Sequence, residues 1–185
     1  MTLINNVDIN TLSANGINTL YEIFENDFIT NQTCLKKGSE SFPIDVKHLE
    51  TCPCPFGGSS KPEKFWHVIT RDKKKSSKSN NPCPDVKEKK RSYDKSRAKR
   101  IHWIKICIDT WQTNSKLVFF YQNRTNRENN LVIWNKEGKF LVIIKKIGTD
   151  ISKYLVSSFI VHDDEKFENQ FKAYWDAAPT GIEWF

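Results

Sequence analysis

Three residues in the middle of the chain have side chains suited to chemistry on a phosphodiester. His67 lies in an apolar segment, and Arg97 and Arg100 follow a strongly basic stretch after it. An imidazole transfers protons near neutral pH, whereas guanidinium groups bind phosphate oxygens and neutralise a pentacoordinate phosphorane. A structural interpretation competes with this one, because a lone histidine is commonly a hydrogen-bonded core residue and helical arginines are commonly solvated.

The positive charge of the chain is concentrated around these residues. The 185-residue chain has a formal net charge of +7, but residues 61–105 alone hold 16 Lys or Arg and 5 Asp or Glu, a balance of +11. Clustered Lys and Arg displace the counterions condensed on nucleic acid, so this segment predicts a polyanionic partner. The stretch 71–92 has almost no apolar residues and is also typical of a solvated basic insertion.

Composition excludes several other classes of protein. No run approaches about 18 apolar residues, and the first residues form no basic and apolar leader, so we expect neither a membrane span nor a secretory signal. The odd number of cysteines, five, favours a reducing cytoplasm over a disulfide framework. We expect no cofactor, since the sequence has no phosphate-binding glycine loop, nucleophile elbow or His-Glu-x-x-His motif.

A zinc site is a weaker alternative. Cys52 and Cys54 could form half of such a site. The ligands that could complete it are Cys34, Cys83, His48 and His67. The Cys-x-Cys spacing and the lack of a second close pair argue against this, so we expect no metal. A zinc-stabilised interaction module nevertheless stays open as an alternative.

Hydrophobic periodicity predicts the elements that position these residues. A helix is predicted over 13–30, a Pro- and Gly-rich arm over 31–62 with a short strand near 42–44, and a strand over 65–70 that carries His67. A helix over 93–112, capped by Ser92 or Asp94, would place Arg97 and Arg100 on one face. Four strands and a last helix complete the chain, at 117–121, 131–135, 140–146, 154–161 and 163–176.

This order predicts an α+β fold, a twisted antiparallel sheet of four to five strands with helices packed on one face. We expect a helical, loop-rich N-terminal arm over 1–62 and an α+β domain over 63–185 with the basic insertion at 71–92. In the last strand, Ser157 and Ser158 interrupt an apolar run, and alternation places one hydroxyl on each face. A buried hydroxyl needs a hydrogen-bond partner, and one in a cleft could contact phosphate.

Three segments in this order resemble a known group of nucleases. They are Phe65-Trp66-His67-Val68-Ile69-Thr70, Arg97-Ala98-Lys99-Arg100-Ile101-His102-Trp103-Ile104 and Tyr154-Leu155-Val156-Ser157-Ser158-Phe159. Over roughly residues 28–176 the chain resembles a phage- and mobile-element-associated family of the barnase–EndoU–colicin–RelE group, which are metal-independent ribonucleases. The resemblance implies an antiparallel sheet with an active-site cleft, in which His67 is the acid–base residue, Arg97 or Arg100 binds phosphate and Ser157 contacts the substrate.

The expected function is therefore metal-independent cleavage of RNA. The RNA 2′-hydroxyl would attack the phosphate and form a 2′,3′-cyclic phosphate. Further substrate contacts are expected from Arg71, Trp103, Lys105 and Tyr154. The resemblance implies a cytoplasmic toxin or defence factor of a mobile element, with RNA and a protein inhibitor as its partners. A non-catalytic nucleic-acid-binding protein is the main alternative.

Overall fold

The computed structural model describes residues 14–46, 51–52, 60–72, 91–124, 128–147, 153–162, 165 and 167–169. The chain divides into two compact units: Met1–Asn31 with Val46–Trp103, and Gln32–Asp45 with Ile104–Phe185. The α+β class predicted from the sequence is confirmed. No described helix has the length and apolar character needed to cross a membrane. The division at residues 62 and 63 that composition suggests stays a prediction.

The first unit is built from helices and two short antiparallel ladders. Its helices are α1 (Ala14–Glu25), continued by the π-helical segment Asn26–Thr30, α2 (Glu63–Ile69), α3 (Lys95–Ala98) and the start of α4 (Ile101–Thr110). Its ladders pair β3 (Thr51–Cys52) with β4 (Lys61–Pro62) and β5 (Thr70–Asp72) with β6 (Arg91–Tyr93). The helix predicted over 13–30 is present over its described length, and Ser13 lies outside the described residues.

An aromatic cluster forms the core of this unit. Phe24 of α1 and Phe28 of the π-helical segment are buried with ring centroids 5.1 Å apart, and Phe65 of α2 lies 5.7 Å from Phe24. Tyr21 approaches Phe65 edge-on at 5.3 Å. Aromatic pairs in such geometry add about 0.5–1.5 kcal/mol beyond their buried area. These contacts hold α2 against α1.

The strand predicted over 65–70 is wrong, because residues 63–69 form α2. Five of its seven residues are buried, and the two that are partly exposed, Glu63 and His67, lie four apart, the spacing of one helical face. A short apolar run fits a buried strand and a buried helix equally well. Packing against α1 selects the helix, and the carboxylate of Glu63 in the first turn suits its dipole.

The single helix predicted over 93–112 is also wrong in its extent. The segment forms the end of β6, then α3, a turn at Lys99 and Arg100, and α4. Asp94 is the N-cap of α3, since its carboxylate accepts hydrogen bonds from the backbone N–H groups of Ser96 and Arg97. Arg97 and Arg100 therefore do not lie on one continuous helix.

The second unit contains a curled, mixed six-stranded sheet. Its strands are β1 (Cys34–Lys37), β2 (Glu40–Asp45), β7 (Leu117–Arg124), β8 (Glu128–Asn135), β9 (Phe140–Ile147) and β10 (Lys153–Ile160). Their order across the sheet is β1-β2-β10-β9-β8-β7. All pairs are antiparallel except β10 with β2, which is parallel. The sheet therefore has more strands than the four or five predicted, and it is not wholly antiparallel.

The four late strands predicted from alternation are all present. β7 and β8 are each three residues longer than predicted, β9 is one residue longer, and β10 begins and ends one residue earlier. Both faces of the central strands are buried, and one face carries the cluster of Phe120, Val132, Trp134, Leu141, Val161 and Phe167. Phe167 comes from the helical residues at 165 and 167–169; the rest of the predicted last helix lies outside the described residues. A tight loop after Asn135 joins β8 to β9, as predicted, and the Asn135 side chain accepts a hydrogen bond from Gly138 N–H at 2.9 Å.

Candidate functional site

A histidine–carboxylate pair occupies the partly exposed face of α2. His67 Nε2 lies 3.1 Å from Glu63 Oε1, one helical turn away. Against an ionised carboxylate, which only accepts hydrogen bonds, Nε2 carries the proton. The side chains are 27% and 22% exposed, so a substrate can reach them while part of the water is excluded. Glu63 was not predicted as a site residue, because residues four apart meet only in a helix and a strand was predicted here. The i, i+4 spacing of Glu63 and His67 is the sequence feature that indicates the pair.

The carboxyl end of α2 is fastened to the rest of the unit by hydrogen bonds. The Arg97 guanidinium donates to the carbonyl oxygen of Thr70 at 2.7 Å and to that of His67 at 3.4 Å. The Asp94 N–H donates to Ile69 O at 2.9 Å, and the Thr70 hydroxyl donates to Trp66 O at 2.6 Å. The last carbonyls of a helix have no partner within it, so these bonds fix where α2 ends.

Asp94 is the carboxylate on which two arginines converge. Its Oδ2 lies 3.8 Å from Nε of Arg71 and 3.8 Å from Nε of Arg97. Arg97 is 14% exposed, whereas Arg71 is 61% exposed and extends into solvent. The structure therefore brings Arg71 and Arg97 together, and Arg71 is the one accessible to a ligand.

Arg100 lies in the turn before α4 with part of its guanidinium unsatisfied. One terminal nitrogen donates to Ser96 O at 3.0 Å, and the group stands 5.1 Å from the ring centroid of Trp103. Its Nε is buried with no hydrogen-bond partner among the described residues. Burial lowers the pKa of Arg100 from its ordinary value, and the negative charge of Asp94 opposes that effect. An additional anion beside the partly exposed side chain would favour its charged form.

Two aromatic residues lie close to Arg100 and Asp94: Trp103 lies beside Arg100, and Tyr93 directly precedes Asp94 in the chain. The Trp103 side chain is buried, and its ring contacts the Arg100 side chain. The role of Trp103 as a substrate contact stays a prediction. Burial, and then the charge of Asp94, raises the pKa of Tyr93 to about 12. Tyr93 is therefore a neutral phenol over the physiological range.

The other predicted site residues belong to the second unit. Lys105 forms an ion pair with Asp109 one turn along α4, at 2.8 Å. Tyr154 and Ser157 lie on β10 opposite Lys145 and Ile143, which are two residues apart on β9 and so point to the same face. A β-bulge between Leu155 and Ser157 produces this arrangement. That Lys105, Tyr154 and Ser157 form one site with His67 stays a prediction.

The two serines, which follow the bulge, lie on opposite faces of the sheet, as alternation predicted. Ser157 is half-buried on the face of Tyr154, and Ser158 is 1% exposed on the opposite face. The Ser158 hydroxyl has no hydrogen-bond partner among the described residues. It lies opposite the apolar Val142, so it occupies a position that an apolar side chain would suit.

The described residues contain no group of three or more His, Cys, Asp or Glu that could hold a metal ion. The backbone of Cys52 lies in β3, whereas Cys54, Cys83 and His48 lie outside the described residues. Cys34 is half-buried, and its thiol donates to Gln32 O at 3.3 Å. The zinc alternative stays a prediction.

The first unit contains both a histidine–carboxylate pair and a group of three arginines. Glu63 and His67 form an acid–base pair, and Arg71, Arg97 and Arg100 carry more positive charge than Asp94 neutralises. The chain matches no family model, no curated protein and no solved structure. The resemblance to metal-independent ribonucleases therefore stays a prediction.

Proposed function

We propose that this protein is a metal-independent endoribonuclease whose chemistry is carried by the first unit. The observation that supports it best is the pairing of His67 with Glu63 on a helix whose carboxyl end accepts hydrogen bonds from Arg97. Acid–base groups and guanidinium groups in one compact unit suit a phosphodiester substrate. RNA supplies its own nucleophile, so no metal is required for the attack.

In the proposed reaction His67 accepts the proton of the 2′-hydroxyl. The 2′-oxygen then forms a bond to phosphorus, and the bond from phosphorus to the 5′-oxygen breaks. Water supplies a proton to the leaving 5′-oxygen, and the hydroxide that remains takes the proton held by His67. The products are a 2′,3′-cyclic phosphate and a 5′-hydroxyl, and the imidazole is neutral again. Glu63 holds the imidazole by its Nε2 proton and stabilises the imidazolium that forms.

The three arginines have different roles in this proposal. Arg100, whose side chain is partly exposed, and the exposed Arg71 bind phosphate oxygens and stabilise the phosphorane. Arg97 is a positioning residue, because its guanidinium donates to the backbone that carries His67. Its role differs from the phosphate binding expected from the sequence.

The test is cleavage of RNA in the presence of EDTA. Wild-type protein is expected to release fragments with 2′,3′-cyclic phosphate ends, and His67→Ala to lower the rate by about 10²–10⁴-fold. Glu63→Gln is expected to lower it by a smaller factor. His162→Ala removes an exposed histidine of the second unit and is the matched control. Full activity of His67→Ala, or inactivation of the wild type by EDTA, would contradict the mechanism.

A second candidate is a non-catalytic RNA-binding protein. The observation that favours it is that Arg97 is already engaged with backbone carbonyls and His67 with Glu63, which a purely structural role explains. The two candidates separate if His67→Ala is assayed for both properties. Retained RNA affinity with lost cleavage supports the enzyme, and binding by a wild type that never cleaves supports the second candidate.

The proposed biological setting follows the resemblance. We propose a cytoplasmic toxin or defence factor of a mobile element, with a protein inhibitor as a partner, since an unregulated ribonuclease would damage its own host. We also propose, as the resemblance implies, that helices pack on one face of the sheet. Co-purification with a protein encoded beside it is the observation to seek.

A further inference from the structure

One aromatic side chain of the second unit is left in solvent. Phe119 of β7 is 40% exposed. Among the described residues, the other large hydrophobic side chains are buried or half-buried. Its chain neighbour Phe120 is buried on the opposite face, and its cross-strand partner Ile133 is fully buried. Among the side chains that the structure describes, the exposed apolar surface at this place is therefore about the size of one ring.

Two other aromatic rings hold Phe119 in place. The ring centroid of Trp111 lies 4.7 Å away with an angle of 76° between the planes, and that of Tyr121 lies 6.4 Å away at 69°. Trp111 is itself buried, and its indole N–H donates to Lys36 O at 2.9 Å. Both neighbours stand nearly perpendicular to Phe119, so neither occupies the position of a parallel stacked ring.

An exposed lysine is joined to this aromatic group through its backbone. Lys36, whose carbonyl oxygen anchors Trp111, has an exposed side chain and faces Ser41 across the β1–β2 hairpin, so its cross-strand neighbour carries no negative charge. β1 and β7 are the two edges of the sheet, and Trp111 contacts both. Trp111 thus connects the backbone of an exposed lysine at one edge of the sheet to the exposed ring at the other.

We propose that Phe119 is a stacking platform for an unpaired nucleobase of single-stranded RNA, with Lys36 contacting the adjoining phosphate. This proposal rests on RNA being the ligand, as in the proposed function, and it adds a contact that chemistry in the first unit does not need. An aromatic ring flanked by positive charge is how single-stranded nucleic acids are bound without regard to sequence. A protein partner would need a contiguous apolar patch of several hundred Å², far more than one ring.

The experiment measures binding of the full chain to a fluorescent 2′-O-methyl oligoadenylate, which lacks the nucleophilic hydroxyl and cannot be cleaved. Phe119→Ala and Phe119→Leu are expected to weaken binding by about 5- to 150-fold, since stacking contributes that much per base. Phe119→Trp is expected to bind within about twofold of wild type, because any aromatic face can stack. Lys36→Gln is expected to reduce the slope of log K against log salt by about 0.7.

Leucine keeps the apolar area and removes the aromatic face, so it separates stacking from hydrophobic docking. Wild-type affinity in Phe119→Leu or Phe119→Ala overturns the proposal, and so does a wild-type dimer that Phe119→Ala dissociates in sedimentation velocity. Near-UV circular dichroism checks the fold of each variant. A wild type that cleaves RNA with no effect of Phe119 refutes only the platform, whereas Phe119-dependent binding without cleavage refutes only the ribonuclease.

Discussion

Replacing Arg97 by methionine tests whether this arginine holds α2 or binds phosphate. The guanidinium donates to Thr70 O at 2.7 Å and to His67 O at 3.4 Å, and its Nε lies 3.8 Å from Asp94. Methionine fills a similar volume but donates no hydrogen bond. Both carbonyls at the end of α2 would lose a charged donor, and Asp94 would lose one of its two arginines.

The expected loss follows from these contacts. A hydrogen bond to a charged group contributes about 1.5–3 kcal/mol, and an acceptor left unsatisfied costs about 1–3 kcal/mol. The bond to Thr70 has good geometry and the one to His67 is long, so the first dominates. Asp94 keeps its two backbone N–H donors and Arg71. Arg97→Met should therefore lower the free energy of unfolding by about 2–4 kcal/mol.

Urea unfolding followed by far-UV circular dichroism measures this loss. Lys105→Met is the matched control, because its i, i+4 pair with Asp109 is partly exposed and is worth about 0.5 kcal/mol or less. Arg97→Lys keeps the charge but cannot bridge two carbonyls, so an intermediate loss is expected. That variant also keeps the test usable if Arg97→Met does not fold.

RNA binding gives the second measurement. If Arg97 positions α2 and does not contact phosphate, the slope of log K against log salt should be the same in Arg97→Met and wild type. Arg100→Gln should reduce it by about 0.7, the value for one phosphate contact on a single strand. The reasoning is refuted if replacing Arg97 costs less than about 0.5 kcal/mol and Arg97→Met lowers the salt slope as Arg100→Gln does.

Two further predictions concern a buried phenol and a buried hydroxyl. Because the pKa of Tyr93 is raised to about 12, the folded state holds its phenol proton more tightly than the unfolded state. The stabilisation is complete below pH 10 and is lost as the pH rises towards 12. Between these pH values, the free energy of unfolding measured in urea should fall more steeply with pH in wild type than in Tyr93→Phe. Equal slopes would contradict the assignment. Ser158→Ala removes a buried hydroxyl without a described partner, so the free energy of unfolding should stay unchanged or rise by about 1 kcal/mol. A loss greater than about 1 kcal/mol would show that the hydroxyl is bonded in solution.

The late strands illustrate how much can be read from local pattern. Alternating apolar residues predict β7 to β10, and the tight loop after Asn135 joins two of them, because period and turn chemistry are local properties. The parallel pairing of β10 with β2 joins segments more than 100 residues apart and has no local signal. The bulge that places Tyr154 and Ser157 on one face depends likewise on the register with β9.

The amino-acid sequence by itself determined the α+β class, the late strands and the residues most suited to phosphodiester chemistry. Tertiary structure decided how those residues are used. Residues 63–69 satisfy both strand and helix patterns, and packing of Phe65 against α1 selects the helix in which Glu63 meets His67. Arg97 likewise has the chemistry of a phosphate ligand, but the carbonyls at the end of α2 lie within its reach. Residue type fixes what a side chain can bind, and only the fold decides which partner it meets.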